Sequence, residues 1–214
     1  MKQIAVIGID LAKNVFQVHG TDPAGNAVLS KKLSRAQMIE FFSKITPCLI
    51  GVEACSSAHY WGRRLTEMGH TVKLMPPQYV KPYVKTNKND ARDAEAICEA
   101  VTRPNMRFVP IKTVEQQAVL ALHRVRDGIV KQRTALSNQI RGLLAEFGIV
   151  AAKGSKQLNA CMTHLLSDPN STLPVNLQKT FSSLFQELIN LTARVKEFDK
   201  QIESHVKATD ECLR

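Results

Sequence analysis

Four carboxylates stand where they could share a task. Asp10 closes the apolar run IAVIGID, and Glu53 closes a second run, CLIGVE. Strand alternation puts Gly8 on the face of Asp10 and Gly51 on the face of Glu53, so each acid follows, two positions on, a residue without a side chain. Glycine otherwise only weakens a strand interior, so this placement predicts that another element comes close to the sheet there. The segment suited to that approach carries Asp90 and Asp93, spaced i and i+3 on a helix face that continues through Ala94, Ile97 and Val101. Arg92, Glu95 and Glu99 fall on another face and read as solvated. Taken singly, each acid has an ordinary role: Asp90 at a helix N-terminus, Asp93 paired with Lys88 or Arg92, Asp10 ending a strand. Four converging acids repel one another, and hard divalent cations relieve that repulsion. Two such ions can clamp the attacking and leaving oxygens of a phosphodiester, which makes metal-dependent phosphoryl transfer on nucleic acid the expected chemistry.

The elements that must position these acids follow from periodicity. Residues 4–10, 15–21 and 27–34 read as strands, the last two separated by the turn DPAGN, and residues 48–54 and 71–76 read as further strands. Helices are expected over 35–45, 58–69 and 89–102. A meander followed by alternating helix and strand predicts an α/β fold with a mixed sheet. Beyond Pro104 and Pro110 the pattern changes to a long helix over 113–147, with apolar positions 122, 125, 129, 136, 140, 143 and 147. A break at 148–155 and a shorter helix to about 166 come next. Phe181, Leu184, Leu188, Leu191, Val195, Phe198, Ile202 and His205 then recur at spacings of 3 and 4, a coiled-coil seam that suits either self-association into a dimer or tetramer or an antiparallel hairpin with the 113–147 helix.

Composition narrows the partners. With 44% hydrophobic and 22% charged residues the 214-residue chain is globular and not a disordered tail. It holds 29 Lys and Arg against 19 Asp and Glu, a net charge of +10 that favours a polyanionic partner. Most of the excess lies in residues 103–143, with eight basic and two acidic residues. Expected phosphate contacts are therefore Arg124, Arg126, Lys131, Arg133 and Arg141 on the long helix, with Lys81, Lys85, Lys88 and Arg92 leading into the acid-bearing helix. No run of eighteen apolar residues could span a membrane, the amino terminus does not resemble a signal peptide, and five cysteines form no CxxC pair; a cytoplasmic location is expected.

IGIDLAKNVFQV around Asp10, GVEACSSAHYW around Glu53 and KTNKNDARDAEAI with Asp90 and Asp93 resemble the RuvC-like amino-terminal domain of DEDD insertion-sequence transposases, a family that includes the Piv invertase and the bridge-RNA-guided recombinases. The resemblance covers roughly residues 3–146. It implies an RNase H-like fold, a catalytic domain over 1–112 and a helical, coiled-coil region over 113–214. It also implies that Asp10, Glu53, Asp90 and Asp93 bind Mg2+ or Mn2+ for work on DNA, and that a structured non-coding bridge RNA is a second partner. In such proteins a further domain with a serine nucleophile lies beyond the long helices; the sequence reaches Arg214 before any such domain, so full recombination by this chain alone is not expected.

Two rival readings are weaker. An actin-like ATPase or sugar kinase also opens with a strand, a turn and a strand, but needs a Gly-, Ser- or Thr-rich turn after the acid, and Leu11, Ala12, Lys13 and Asn14 stand there. A non-catalytic nucleic-acid-binding and oligomerisation fragment of such a recombinase is the second, since a chain without the serine domain lacks part of the active machinery, and metal-dependent cleavage of DNA by the purified chain discriminates. Cys55 and His59, near Glu53, form no second ligand pair and read as packing at a strand-to-helix junction, and Tyr60 and Trp61 as core and edge aromatics.

Overall fold

The computed structural model describes residues 3–84, 90–168, 171 and 173–212, side chains excepted at 90 and 208–212. The chain divides into two compact units, Met1–Thr113 and Val114–Arg214.

The first unit is built on strands β1 (Val6–Leu11), β2 (Val15–Thr21), β3 (Ala27–Ser34), β4 (Leu49–Glu53) and β5 (Thr71–Met75), in the order β3-β2-β1-β4-β5. The three opening strands pair antiparallel, as short turns between them dictate, whereas β4 and β5 join parallel to β1 through helical crossovers. This five-stranded mixed α/β sheet with flanking helices is consistent with an RNase H-like arrangement. Ile7, Ile9, Val52 and Leu74 turn to one face and meet Met38 and Phe42 of α1 (Gln37–Ser43) and Trp61 and Leu65 of α2 (Ala58–Glu67) in a single apolar cluster. His70 is 3% exposed and serves this core: its Nδ1 accepts from the Cys48 N–H at 3.3 Å while Nε2 lies 3.3 Å from the Phe42 carbonyl oxygen. The short α3 (Pro77–Val80) and a 3-10 turn (Lys81–Tyr83) lead towards α4 (Asp90–Ala100) on the opposite face.

Ala94, Ile97 and Val101 of α4 are buried, as the helix face predicts. Arg92, Glu95 and Glu99 are half-buried rather than fully solvated. The reason lies beside them: Ala96 and Ala100 are buried too, in a cluster with Met75 and Val80, so α4 is covered on a wider arc than a one-sided helix.

The second unit consists of α5 (Val114–Ala145), α6 (Ser155–Ser167) and α7 (Val175–Cys212). Arg126 pairs with Asp199, and Arg133 and Ser137 share a cleft with Leu188 and Thr192, so α5 and α7 run antiparallel. Gly148, at φ 72°, turns the chain after α5, and the Ile149 N–H donates back to the Leu144 carbonyl at 3.0 Å. The core comprises Ile129, Leu136, Ile140 and Leu144 of α5, Leu158 and Met162 of α6, and Phe181, Leu188, Leu191 and Val195 of α7. Two details differ from the expected seam. Val125, Leu143 and Phe147 are exposed, because α6 packs beside α7 and draws the buried stripe of α5 onto Leu144. His205 is also exposed. The α7 stripe is thus occupied within the chain. Leu188→Asp is accordingly expected to melt the helical unit, since an ionised carboxylate has no partner in that core; a fall in thermal stability and in helical circular dichroism of the purified chain checks this.

Candidate metal centre and nucleic-acid surface

The glycines have the use predicted for them. A Cβ on Gly8 would run into the Ala94 carbonyl oxygen and the Cys98 backbone nitrogen and lie 2.8 Å from Cys98 Cα; one on Gly51 would lie 2.7 Å from Val101 Cβ and 3.1 Å from the Ile97 carbonyl oxygen. The helix backbone therefore rests on the bare strand surface at two adjacent points, because Gly8 and Gly51 are direct partners in the β1–β4 ladder.

That contact fixes the direction of α4. The backbone of Ala94 and Cys98 meets Gly8, whereas Glu99 and Thr102, further along the helix, line a pocket with Thr21, Gly25 and Ala27 beside the N-terminal end of β1, where the Cys98 thiol also reaches the Val6 carbonyl oxygen (Sγ to O, 3.7 Å). One turn towards the helix N-terminus thus advances towards the C-terminal end of β1. Four helix residues rise about 6 Å and two strand residues about 6.6 Å. The step from Ala94 to Asp90 therefore parallels that from Gly8 to Asp10, and the step from Ile97 to Asp93 parallels that from Gly51 to Glu53.

Asp10, the last residue but one of β1, and Glu53, the last of β4, stand at the same end of neighbouring parallel strands: Ile9 and Val52 are partners, and the two acids follow in step. Both are half-buried, on the face that α4 covers, as is Asp93. The side chain of Asp90 lies outside the described residues. Among the described residues no three His, Cys, Asp or Glu side chains are close enough together to hold a metal ion. The structure thus brings Asp10 and Glu53 to one end of the sheet and the first turn of α4 to the same end, without gathering Asp93 with them into one cluster. In type, the donors suit a hard cation: oxygen only, on rigid strand ends. Cys55 and His59 add no ligand set; His59 Nδ1 accepts from the Lys112 N–H at 3.2 Å and Nε2 lies 3.1 Å from Lys112 Nζ.

Of the expected phosphate contacts, Lys85 and Lys88 lie outside the described residues. Lys81, Arg124 and Lys131 are exposed, and Arg92, Arg126, Arg133 and Arg141 are partly buried. Arg126 donates to Asp199, whose carboxylate raises the arginine's already high pKa, and so ties α5 to α7. Arg141 donates to the Gly154 carbonyl oxygen at 2.8 Å, and its Nε is buried with no acceptor among the described residues. Arg133 and Arg141 line one polar cleft with Ser137, Asn138 and Ser155. Trp61 is 2% exposed and meets Phe16 edge to face; Tyr60 is 43% exposed with the Arg35 guanidinium 5.8 Å from its ring centre. Not anticipated from sequence is a set of cation–aromatic pairs at the β5 edge. The available signal was the absence of acids from residues 71–84 and 100–114, where basic and aromatic residues interleave.

Comparison with known proteins identifies the family. The family model of the DEDD transposases of IS110 type, described as a transposase, matches residues 7–149, and the chain belongs to that family. It is 50% identical over 202 residues to a probable family 20 transposase of Pseudomonas aeruginosa, covering 94% of this chain and 60% of the relative. It is 42% identical over 212 residues to the transposase for insertion sequence element IS1328 of Yersinia enterocolitica, covering 99% and 62% respectively. With the transposase for insertion sequence element IS1111A of Coxiella burnetii it shares 40% identity over 214 residues, covering 100% and 59%. The chain thus spans about three-fifths of the length of these relatives. No helix among the described residues is long and apolar enough to cross a membrane.

Proposed function

We propose that this chain carries the DNA-cutting part of a transposase, with its catalytic domain over residues 1–112 and Asp10, Glu53, Asp90 and Asp93 as the acids that act on phosphodiesters. The observation that supports this reading is the seating of α4 on Gly8 and Gly51, two glycines that stand two positions before Asp10 and Glu53 on adjacent parallel strands. Mg2+ or Mn2+ held by these carboxylates would supply positive charge to the attacking and leaving oxygens of a DNA strand. The protein's own part is to hold the acids on rigid elements and to engage the backbone of the nucleic acid through the basic middle of the chain. The resemblance read from the sequence adds a structured RNA as a second polyanionic partner and a cytoplasmic setting. A homo-oligomer would have to form on surfaces other than Phe181, Leu188, Leu191 and Val195, which α5 and α6 already cover.

The test is incubation of the purified chain with supercoiled DNA, with and without Mn2+. Metal-dependent nicking is expected; DNA binding without nicking at any metal concentration would favour a non-catalytic binding and assembly fragment. Phosphate contact by the long helix makes a separate expectation. Arg133→Ala should weaken DNA binding and lower the slope of log affinity against log salt by about 0.9, the value for one duplex phosphate contact; an unchanged slope would remove Arg133 from the interface.

A further inference from the structure

The outer edge of the sheet holds a feature that the acids do not use. The segment after α4 turns back along β5: the Val109 N–H donates to the Leu74 carbonyl at 2.8 Å, and the two residues form an antiparallel bridge. Beyond that anchor three cation–ring pairs link the two segments. The Lys73 ammonium lies 5.3 Å from the Phe108 ring centre, the Arg107 guanidinium 6.0 Å from that of Tyr79, and the Arg103 guanidinium 5.7 Å from that of Tyr83. Residues 103–109 thus lie antiparallel to 73–83 and set three cations and three rings in a row.

The charge of this row is one-sided. Residues 71–84 and 100–114 contain five Lys and Arg and no Asp or Glu. Glu99, just before the second stretch, pairs with Arg103, whereas Lys73 and Arg107 have no carboxylate partner among the described residues. Phe108 is 39% exposed, and Lys73 and Arg107 are exposed beside it. Cations held over aromatic faces are pre-positioned for phosphates, and an exposed ring offers a stacking surface that only an unpaired base can use.

We propose that this row binds a single-stranded stretch of nucleic acid, its phosphates on Lys73 and Arg107 and an unpaired base against Phe108. The proposal rests on the nucleic-acid reading above and adds to it a strand type and a place. β5 is parallel to β4, and the Ala54 N–H donates to the Met75 carbonyl at 2.8 Å, so the chain leaves β5 towards Tyr79 from the same end of the sheet at which Glu53 stands. Duplex DNA, whose bases are already stacked, would meet the cations alone.

The full chain is titrated against fluorescently labelled 20-nucleotide DNA and RNA single strands and the matching DNA duplex, as wild type and as Phe108→Ala, Lys73→Ala/Arg107→Ala and Arg133→Ala. Phe108→Ala should weaken single-strand binding roughly tenfold and leave duplex binding within about twofold. The Lys73/Arg107 pair should lower the single-strand salt slope by about 1.4, two contacts' worth. The DNA and RNA arms show which strand is preferred. Since all three side chains are exposed, unchanged thermal melting verifies the fold. Unchanged single-strand affinity and slope in both edge variants overturns the proposal; if Arg133→Ala still weakens binding, the nucleic-acid reading stands without it, and if no variant weakens binding, both fall.

Discussion

Gly8→Ala is expected to displace α4 and lower the melting temperature of the sheet-bearing unit by roughly 10 °C or more, because overpacking of a close contact costs on the order of 3 kcal/mol where the neighbours cannot yield. The atoms that a Cβ would meet are backbone, the Ala94 carbonyl oxygen and Cys98 N and Cα, and no rotamer change can move them aside. Gly51→Ala should cost less, since its neighbours, Val101 Cβ at 2.7 Å and the Ile97 carbonyl oxygen at 3.1 Å, stand farther off than the Ala94 carbonyl oxygen and Cys98 nitrogen at Gly8. Gly142→Ala supplies the contrast: nothing lies within 4 Å of the position a Cβ would take on α5, and replacing a helical glycine there should stabilise the helical unit by up to about 1 kcal/mol. Thermal melts of the three variants order them. Equal melting of Gly8→Ala and wild type would mean that α4 does not rest on the sheet as described.

Asp10→Asn is expected to reduce metal-dependent DNA nicking to background while leaving the fold intact or slightly more stable. The amide keeps the shape of the carboxylate but donates through one arm and carries no charge, so it loses its value to a hard cation and also the repulsion from Glu53 at the next strand end. Asp10 is half-buried at the end of β1 and outside the apolar cluster, so its replacement leaves the core untouched. Retained melting temperature with lost nicking separates a role in the reaction from a role in folding. Nicking by Asp10→Asn at the wild-type rate would remove Asp10 from the site.

Much of this arrangement was legible in residue order. Period-two runs ending in Asp10 and Glu53, each with a glycine two positions earlier, announced both the strand ends and the helix that covers them, since a bare position in a strand interior serves close approach. The same reasoning placed Ala94, Ile97 and Val101 against the sheet. Where it fell short, the cause was a neighbour that a single element's periodicity does not reveal. Met75 and Val80 widen the buried arc of α4, and α6 shifts the buried stripe of α5 from Leu143 to Leu144. The seam of α7 fitted a partner helix of either kind, and heptad spacing alone does not distinguish another chain from α5. The pairing of Lys73, Arg103 and Arg107 with aromatic rings depends on residues 103–109 folding back along β5, a contact between segments some thirty residues apart.

The most direct measurement is the anomalous scattering of Mn2+ soaked into crystals of the chain. A peak is expected at the strand ends that carry Asp10 and Glu53, and it should disappear in Asp10→Asn crystals under the same conditions. A manganese site elsewhere with none at these strand ends, or a peak that persists in Asp10→Asn, would contradict this expectation.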